Sequence, residues 1–196
     1  QPCDIRNSGE IRQALANVSS LYGLIANAGI GGENQYGDQD RWQEIIDTNL
    51  TGTYQTIQEC LPLIKKNPAP FKKIIIISSI LARLGVPGYS GYCASKAGLL
   101  GLTRSLAGEY SNDGILVNAL CPGWVDTKMA EEGLQGFADT LKISKEDAYK
   151  EAMKQVPLGK MSKPEEVAQL VAYLVSEEQT SLTGQTLHIN NGALMP

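Results

Sequence analysis

The run Ile74-Ile75-Ile76-Ile77 constrains the fold more than any other stretch of the chain. Successive side chains of a strand point to opposite faces, so four isoleucines in a row need apolar cover on both sides. A parallel sheet lying between helices supplies that cover, whereas a sheet with one wet face would alternate apolar and polar residues. Three more short apolar runs lie at Leu21 to Ala26, Ile115 to Leu120 and Thr186 to Ile189. Between the runs, residues 8 to 18 (with Ser8 placed to cap), 39 to 66 (with a break near Asn49), 92 to 111 and 164 to 176 carry apolar residues at helical spacing. Strands alternating with helices of this length spell βαβ units, and the expected fold is an α/β, Rossmann-like doubly wound parallel sheet. Residues 127 to 160 break the alternation: Met129, Leu134, Phe137, Leu141 and Met153 stand among many charges with no strand between them. An insertion after the carboxyl end of a strand falls where open α/β sheets bind ligands, so this segment reads either as a substrate lid or as an ordinary surface helix pair.

With 196 residues, 42% of them hydrophobic, one domain spanning 1–196 with a sizeable core is the expectation. A formal net charge of -4 argues against nucleic acid as a partner, because phosphate recognition needs a basic face. No apolar stretch reaches the roughly 18 residues that a membrane span requires, and no signal-peptide pattern opens the sequence. Cys3, Cys60, Cys93 and Cys121 show no CxxC pairing and read as reduced thiols of a cytoplasmic protein. His188 is the single histidine and has no Cys or His at ligand spacing, so no metal site is expected and the ring reads as structural.

Chemistry concentrates at Tyr92-Cys93-Ala94-Ser95-Lys96, near the start of an expected helix. A spacing of four places the phenol and the ammonium on one helical face, a turn apart. Tyrosine, with an ordinary pKa of about 10, is a poor base at neutral pH, and a fixed ammonium beside it favours the phenolate. The strand before this helix ends in Ser78-Ser79 and is followed by Leu84-Gly85-Val86-Pro87-Gly88. Hydroxyls leaving the carboxyl end of a buried strand enter the crevice where ligands of such sheets lie. The role of a cap or turn serine fits Ser78 better than Ser79.

Taken in order, Asn27-Ala28-Gly29, Asn49, Ser79, Tyr92, Lys96 and Pro122-Gly123 resemble the motifs of the short-chain dehydrogenase/reductase family along nearly the whole chain. In that family a serine lies thirteen positions before the tyrosine, which selects Ser79. Tyr89 lacks a lysine four residues on. The resemblance implies an NAD(P)-dependent oxidoreductase that interconverts a ketone and a secondary alcohol, with the hydride carried by NAD or NADP. It implies that Tyr92 exchanges the proton with the substrate oxygen and that Ser79 holds that oxygen. Lys96 is then expected to lower the Tyr92 pKa and hold the nicotinamide ribose, and Asn49 to keep a water in a proton relay. Asn27, Ala28 and Gly29 are expected to line the cofactor, Asp4 and Ile5 to contact adenine, and Pro122, Gly123, Val125 and Thr127 to hold the carboxamide.

The family also begins with a strand, a glycine-rich pyrophosphate turn, a helix and a second strand, and these are not among the 196 residues. Since a βαβ unit takes about 30 residues or more, the resemblance implies roughly 50 to 60 further residues at the front. Gly29-Ile30-Gly31-Gly32 does not open a helix and is not that turn. The segments Val117 to Val125 and Val156-Pro157-Leu158-Gly159-Lys160 resemble reductases of 3-oxoacyl chains or polyketides and 3-hydroxybutyrate dehydrogenases. The resemblance further implies a homotetramer or dimer; the small residues Ala97, Gly98, Gly101 and Ala107 suit close packing either against a symmetry mate or within the chain's own core. The alternative reading is a fold relative, or a truncated scaffold, that binds no cofactor and has lost its catalysis. A complete set of Asn49, Ser79, Tyr92 and Lys96 favours the enzyme.

Overall fold

The computed structural model describes residues 2–195; Gln1 and Pro196, the ends of the expected domain, lie outside them. Four parallel strands form one sheet in the order β1 (Gly23–Ala26), β2 (Lys72–Ile77), β3 (Ile115–Pro122) and β4 (Thr186–Ile189). Ile75 is aligned with Ile25 of β1 and with Asn118 of β3, and Cys121 of β3 with His188 of β4. Strands that run the same way need a crossover, and helices supply each one. These are α2 (Trp42–Ile46) and α3 (Thr53–Lys65), then α4 (Ser90–Tyr110), then α5 (Lys128–Leu141), α6 (Lys145–Met153) and α7 (Pro164–Val175). A first helix, α1 (Ser8–Leu15), packs on α3.

The isoleucine run divides its side chains as its sequence requires. Ile74 and Ile76 enter a core with Ile57, Cys60 and Ile64 of α3 and Leu99 and Leu106 of α4. Ile75 and Ile77 point the other way, to Leu170, Val171 and Leu174 of α7. Ile74, Ile75 and Ile76 are fully buried, and each such side chain stabilises the fold by about 1.5–3 kcal/mol. Truncation of Ile75 to alanine would remove that and leave a cavity between sheet and α7, at a cost of about 2–5 kcal/mol. The helix-sheet-helix layering meets the doubly wound expectation. On the outer side of β1, Ile25 remains 49% exposed and no further strand pairs among the described residues.

Two local expectations are corrected, and one left open is decided in part. Ser8 does not cap α1: Asn7 does, its side-chain oxygen accepting from the Gly9 N–H (2.9 Å) and the Glu10 N–H (3.4 Å). The helical region around 39–66 is not broken at Asn49 but widened, because Asp47–Gly52 is a π-helical turn between α2 and α3. Such a turn inserts a residue into the ladder without ending the helix, a change that apolar periodicity does not register. Finally, Gly98 and Ala107 of α4 are used within the chain. A Cβ on Gly98 would stand 2.9 Å from Leu50, and Ala107 lies in the core, so only Ala97 and Gly101 of the four small residues stay open.

The segment after β3 folds as the pair α5 and α6 around a small cluster of Leu134, Ala152, Met153 and Val156, with Trp124 and Phe137 packed against it. No helix among the described residues is long and apolar enough to cross a membrane. All four cysteines are free.

Candidate active site

The carboxyl edge of the sheet gathers the candidate residues. The β2–β3 ladder continues past Ile77, the Ser78 N–H donating to the Leu120 carbonyl (2.7 Å), so Ser79 emerges at the end of a fully supported strand. Ser79 keeps an extended backbone (φ -163°, ψ 160°) and starts a short 3-10 turn, Ile80–Ala82, its Oγ accepting from the Leu81 N–H (3.1 Å). Ser78, expected to be the cap, instead donates its hydroxyl to the Lys96 carbonyl (2.9 Å) and pins α4 to the end of β2. The capping role read for Ser78 thus falls to Ser79, while Ser78 ties two elements together.

On α4, Tyr92 and Lys96 fall on one face, with the ammonium 5.6 Å from the centre of the phenol ring. Lys96 is 5% exposed, and its Nζ donates to the Ile77 carbonyl (3.0 Å). Burial without a carboxylate partner penalises its charged form and lowers its pKa to about 8. Burial likewise pushes the Tyr92 phenol above its ordinary value, opposed by the Ser79 hydroxyl beside it. The net direction is therefore upward: desolvation of the phenolate outweighs the lowering by the Ser79 hydroxyl.

Asn49, fully buried in the π-turn, ties this cluster to the loop after β1. Its Oδ1 accepts from the Ile30 N–H (2.8 Å), while Nδ2 donates to the Ile30 carbonyl (2.9 Å) and to Ser95 Oγ (3.1 Å). Ser95 Oγ in turn donates to the Tyr92 carbonyl (2.8 Å). The amide rivets the loop after β1 to α4. A Cβ on Gly29 would stand 3.0 Å from Asn49 Oδ1 and 3.5 Å from Lys96 Nζ, so a glycine lets this backbone approach both.

Beyond Gly29 a groove is lined by Ile5, Ile25, Ala26, Asn27, Ala28, Thr53 and Thr56. Its mostly apolar walls fit a flat aromatic base, and Gly29, which follows Ala28, brings the backbone close to the Lys96 ammonium, a donor that suits a ribose; the residues present thus fit the nucleoside parts of a dinucleotide. Ile5 belongs to this groove. Asp4, next to it in the chain, has both carboxylate oxygens engaged by Arg6 (2.6 Å at the shortest), which holds its pKa down to about 2. Pro122 ends β3, and Gly123, Val125 and Thr127 follow it at the same sheet edge. Gly123 packs tightly on Asn190, Val125 bridges to Ser162, and the Thr127 hydroxyl donates to the Val125 carbonyl (3.2 Å). Sequence reading missed Ser95 and the pinning role of Ser78. Ser95 lies inside the Tyr92–Lys96 pentapeptide, but only the position of Asn49 reveals its use.

A half-buried phenol, an adjacent hydroxyl and a desolvated lysine at the carboxyl edge of a parallel sheet, with an apolar groove beyond Gly29, define a nucleotide-dependent oxidoreductase centre. The family described as enoyl-(acyl carrier protein) reductase matches residues 1–193. The chain is 38% identical over 197 aligned residues to the 3-oxoacyl-(acyl-carrier-protein) reductase FabG of Rickettsia typhi, covering 98% of this chain and 76% of that protein. Among solved structures, a single-residue variant of the actinorhodin polyketide ketoreductase with NADPH superposes with a TM-score of 0.91 at 33% identity, covering 98% of this chain and 76% of that one. The ligand-free aldohexose dehydrogenase of Thermoplasma acidophilum superposes at 0.89 with 28% identity, covering 98% and 77%. The chain belongs to the short-chain dehydrogenase/reductase family, a family of NAD(P)-dependent oxidoreductases.

Proposed function

We propose that this protein interconverts a 3-oxoacyl-type ketone and its secondary alcohol, with Tyr92 as the acid/base. The observation that carries the reading is the placement of Ser79, Tyr92 and Lys96 around one point at the end of β2. Bound NAD(P)H supplies the hydride that reduces the carbonyl carbon. Ser79 orients the carbonyl oxygen through a hydrogen bond from its hydroxyl and keeps its own proton. Tyr92 gives the phenolic proton to that oxygen as charge develops on it, so the alcohol leaves neutral and a phenolate remains. Lys96 stabilises that phenolate when protonated. The raised pKa of Tyr92 keeps the phenol protonated at neutral pH, the form that reduction requires.

The residues proposed to hold the dinucleotide are Ile5, Asn27, Ala28, Gly29 and Lys96, with Pro122, Gly123, Val125 and Thr127 toward the nicotinamide. Asp4 supports the turn that presents Ile5. In this reading 1–196 is one dinucleotide-binding domain and 127–160 its substrate lid. The support for the lid is Met129, which is 44% exposed and lies against Gly31 at the edge of the site. We further infer a homo-oligomer, supported by the open Ala97 and Gly101 on α4, and a reducing, cytoplasmic setting, supported by the four free thiols. The test measures oxidation of NADPH and NADH by the purified protein with a 3-oxoacyl thioester, beside aldohexose oxidation. Turnover of the thioester alone supports the reading; sugar oxidation alone moves the protein to the other substrate class.

A further inference from the structure

We infer that Asn34 is a positioning residue for the Tyr92 centre, capping the amino end of α4 from a different part of the chain. The inference rests on the reading of Tyr92 as acid/base. Helix α4 has no cap of its own, since Tyr89 at its N-cap position makes no side-chain capping bond. The first-turn N–H groups of a helix need an acceptor. Asn34, 7% exposed in the loop after β1, supplies it: Oδ1 accepts from the Gly91 N–H (2.9 Å) and from the Ser90 hydroxyl (3.2 Å). Gly91 immediately precedes Tyr92. A Cβ on Gly91 would stand 3.3 Å from Asn34 Oδ1, so a glycine there permits the close approach.

The same residue reaches two more segments. Its main-chain N–H donates to the Gly88 carbonyl (2.7 Å), fixing the end of the loop that leads from Ser79 to α4. Its Nδ2 donates to Asp40 Oδ1 (2.9 Å), and that oxygen also accepts from the Trp42 N–H (3.0 Å) at the start of α2. Asn34 therefore links the loop that carries Asn27–Gly29, the loop that leaves Ser79 and the first turn that carries Tyr92. These three must hold a fixed relation for a hydroxyl and a phenol to meet on one oxygen, and small misplacements at a reacting centre are expensive in rate.

The polarity of the Asn34–Asp40 pair gives a test that a merely structural role does not satisfy. Asn34→Ala should lower kcat by about tenfold or more while the KM for cofactor changes by less than about twofold. Asn34→Asp alone faces Asp40 with a second carboxylate and should also lose rate. The swap Asn34→Asp/Asp40→Asn restores one carboxylate opposite one amide and keeps an acceptor for Gly91, so it should recover most of the lost kcat. Independently of turnover, amide exchange of Gly91 should quicken in Asn34→Ala, and the NMR titration of the Tyr92 ring should shift. Unchanged kcat together with unchanged Gly91 exchange in Asn34→Ala overturns the inference, as does a swap no better than either single variant. A wild-type protein without reductase activity counts against the acid/base reading instead; Gly91 exchange and the Tyr92 titration then decide the role of Asn34 alone.

Discussion

The two ends of β2 each hold a buried lysine, and the pair separates what a fold tolerates from what a site uses. At the amino end Lys73 is fully buried, its Nζ donating to the Gln179 carbonyl, with the Phe71 ring 5.9 Å away. At the carboxyl end Lys96 is nearly as buried, its Nζ donating to the Ile77 carbonyl, with the Tyr92 ring 5.6 Å away. Burial lowers the pKa of both, and neither has a carboxylate partner. The difference lies in their neighbours. Phenylalanine offers Lys73 no proton to share, and the side-chain oxygen of Gln179 is consumed by the Ser181 and Leu182 N–H groups. Lys96 stands beside a titratable phenol, a hydroxyl and the open groove beyond Gly29. A buried ammonium on a carbonyl is therefore compatible with a purely structural latch; what makes one functional is the chemistry that shares its pocket.

The sharpest way to break this contrast is Tyr92→Phe, which makes the ring beside Lys96 resemble the one beside Lys73. Turnover should fall by about 10³-fold, within the range for a lost general acid, with NAD(P)H affinity by fluorescence titration nearly unchanged. Retained turnover would remove the phenol from the chemistry. Next in size, Lys96→Met should lower kcat by about 10²-fold and weaken cofactor binding, whereas Lys73→Met should keep kcat within about twofold. Equal losses in the two variants would erase the functional distinction between the ends of the strand.

The serines give a smaller effect. Ser79→Ala should cost about tenfold in kcat, since one oxygen-orienting donor is removed. Ser78→Ala should show first as a stability loss of about 1 kcal/mol in denaturant, from the bond to the Lys96 carbonyl. A reversed order would make Ser78, and not Ser79, the residue that orients the substrate oxygen. The smallest effect is in pH dependence. Lys96 binds its proton less tightly folded than unfolded, so between about pH 8 and its ordinary value near 10.5 the unfolded chain holds more protons. Stability should then rise with pH through that window, until ionisation of Tyr92, whose folded pKa is raised, begins to oppose it. Denaturation midpoints from about pH 7.5 to 10 should show this slope in the wild type and a flatter one in Lys96→Met.

Much of this was legible in the chain. The isoleucine run dictated a two-faced parallel strand because pleating admits no other way to bury consecutive side chains. The i,i+4 spacing placed Tyr92 over Lys96 because helical geometry is local. The interval from Ser79 to Tyr92 selected the serine through family resemblance. What escaped was non-local. Ser78 and Ser79 carry adjacent, chemically identical groups, and only the packing of α4 against β2 decides which one pins a carbonyl and which caps a turn. Asn49 reads as a polar residue in a helix until the loop at Ile30 closes on it, and Asn34 reads as loop until α4 arrives without a cap.

The electrostatics followed the same division. Sequence placed an ammonium near a phenol and so predicted a lowered tyrosine, whereas tertiary packing removed water from both groups and set the net direction upward. Propensity, periodicity and spacing thus determined the layered sheet, its helices and the pairing of Tyr92 with Lys96, since these depend on residues close along the chain, while Ser79 and Asn49 were named by family resemblance. Capping across segments, the commitment of each buried donor and the sign of each pKa shift depend on which distant groups exclude water or meet a hydrogen bond, and only the folded arrangement decides that.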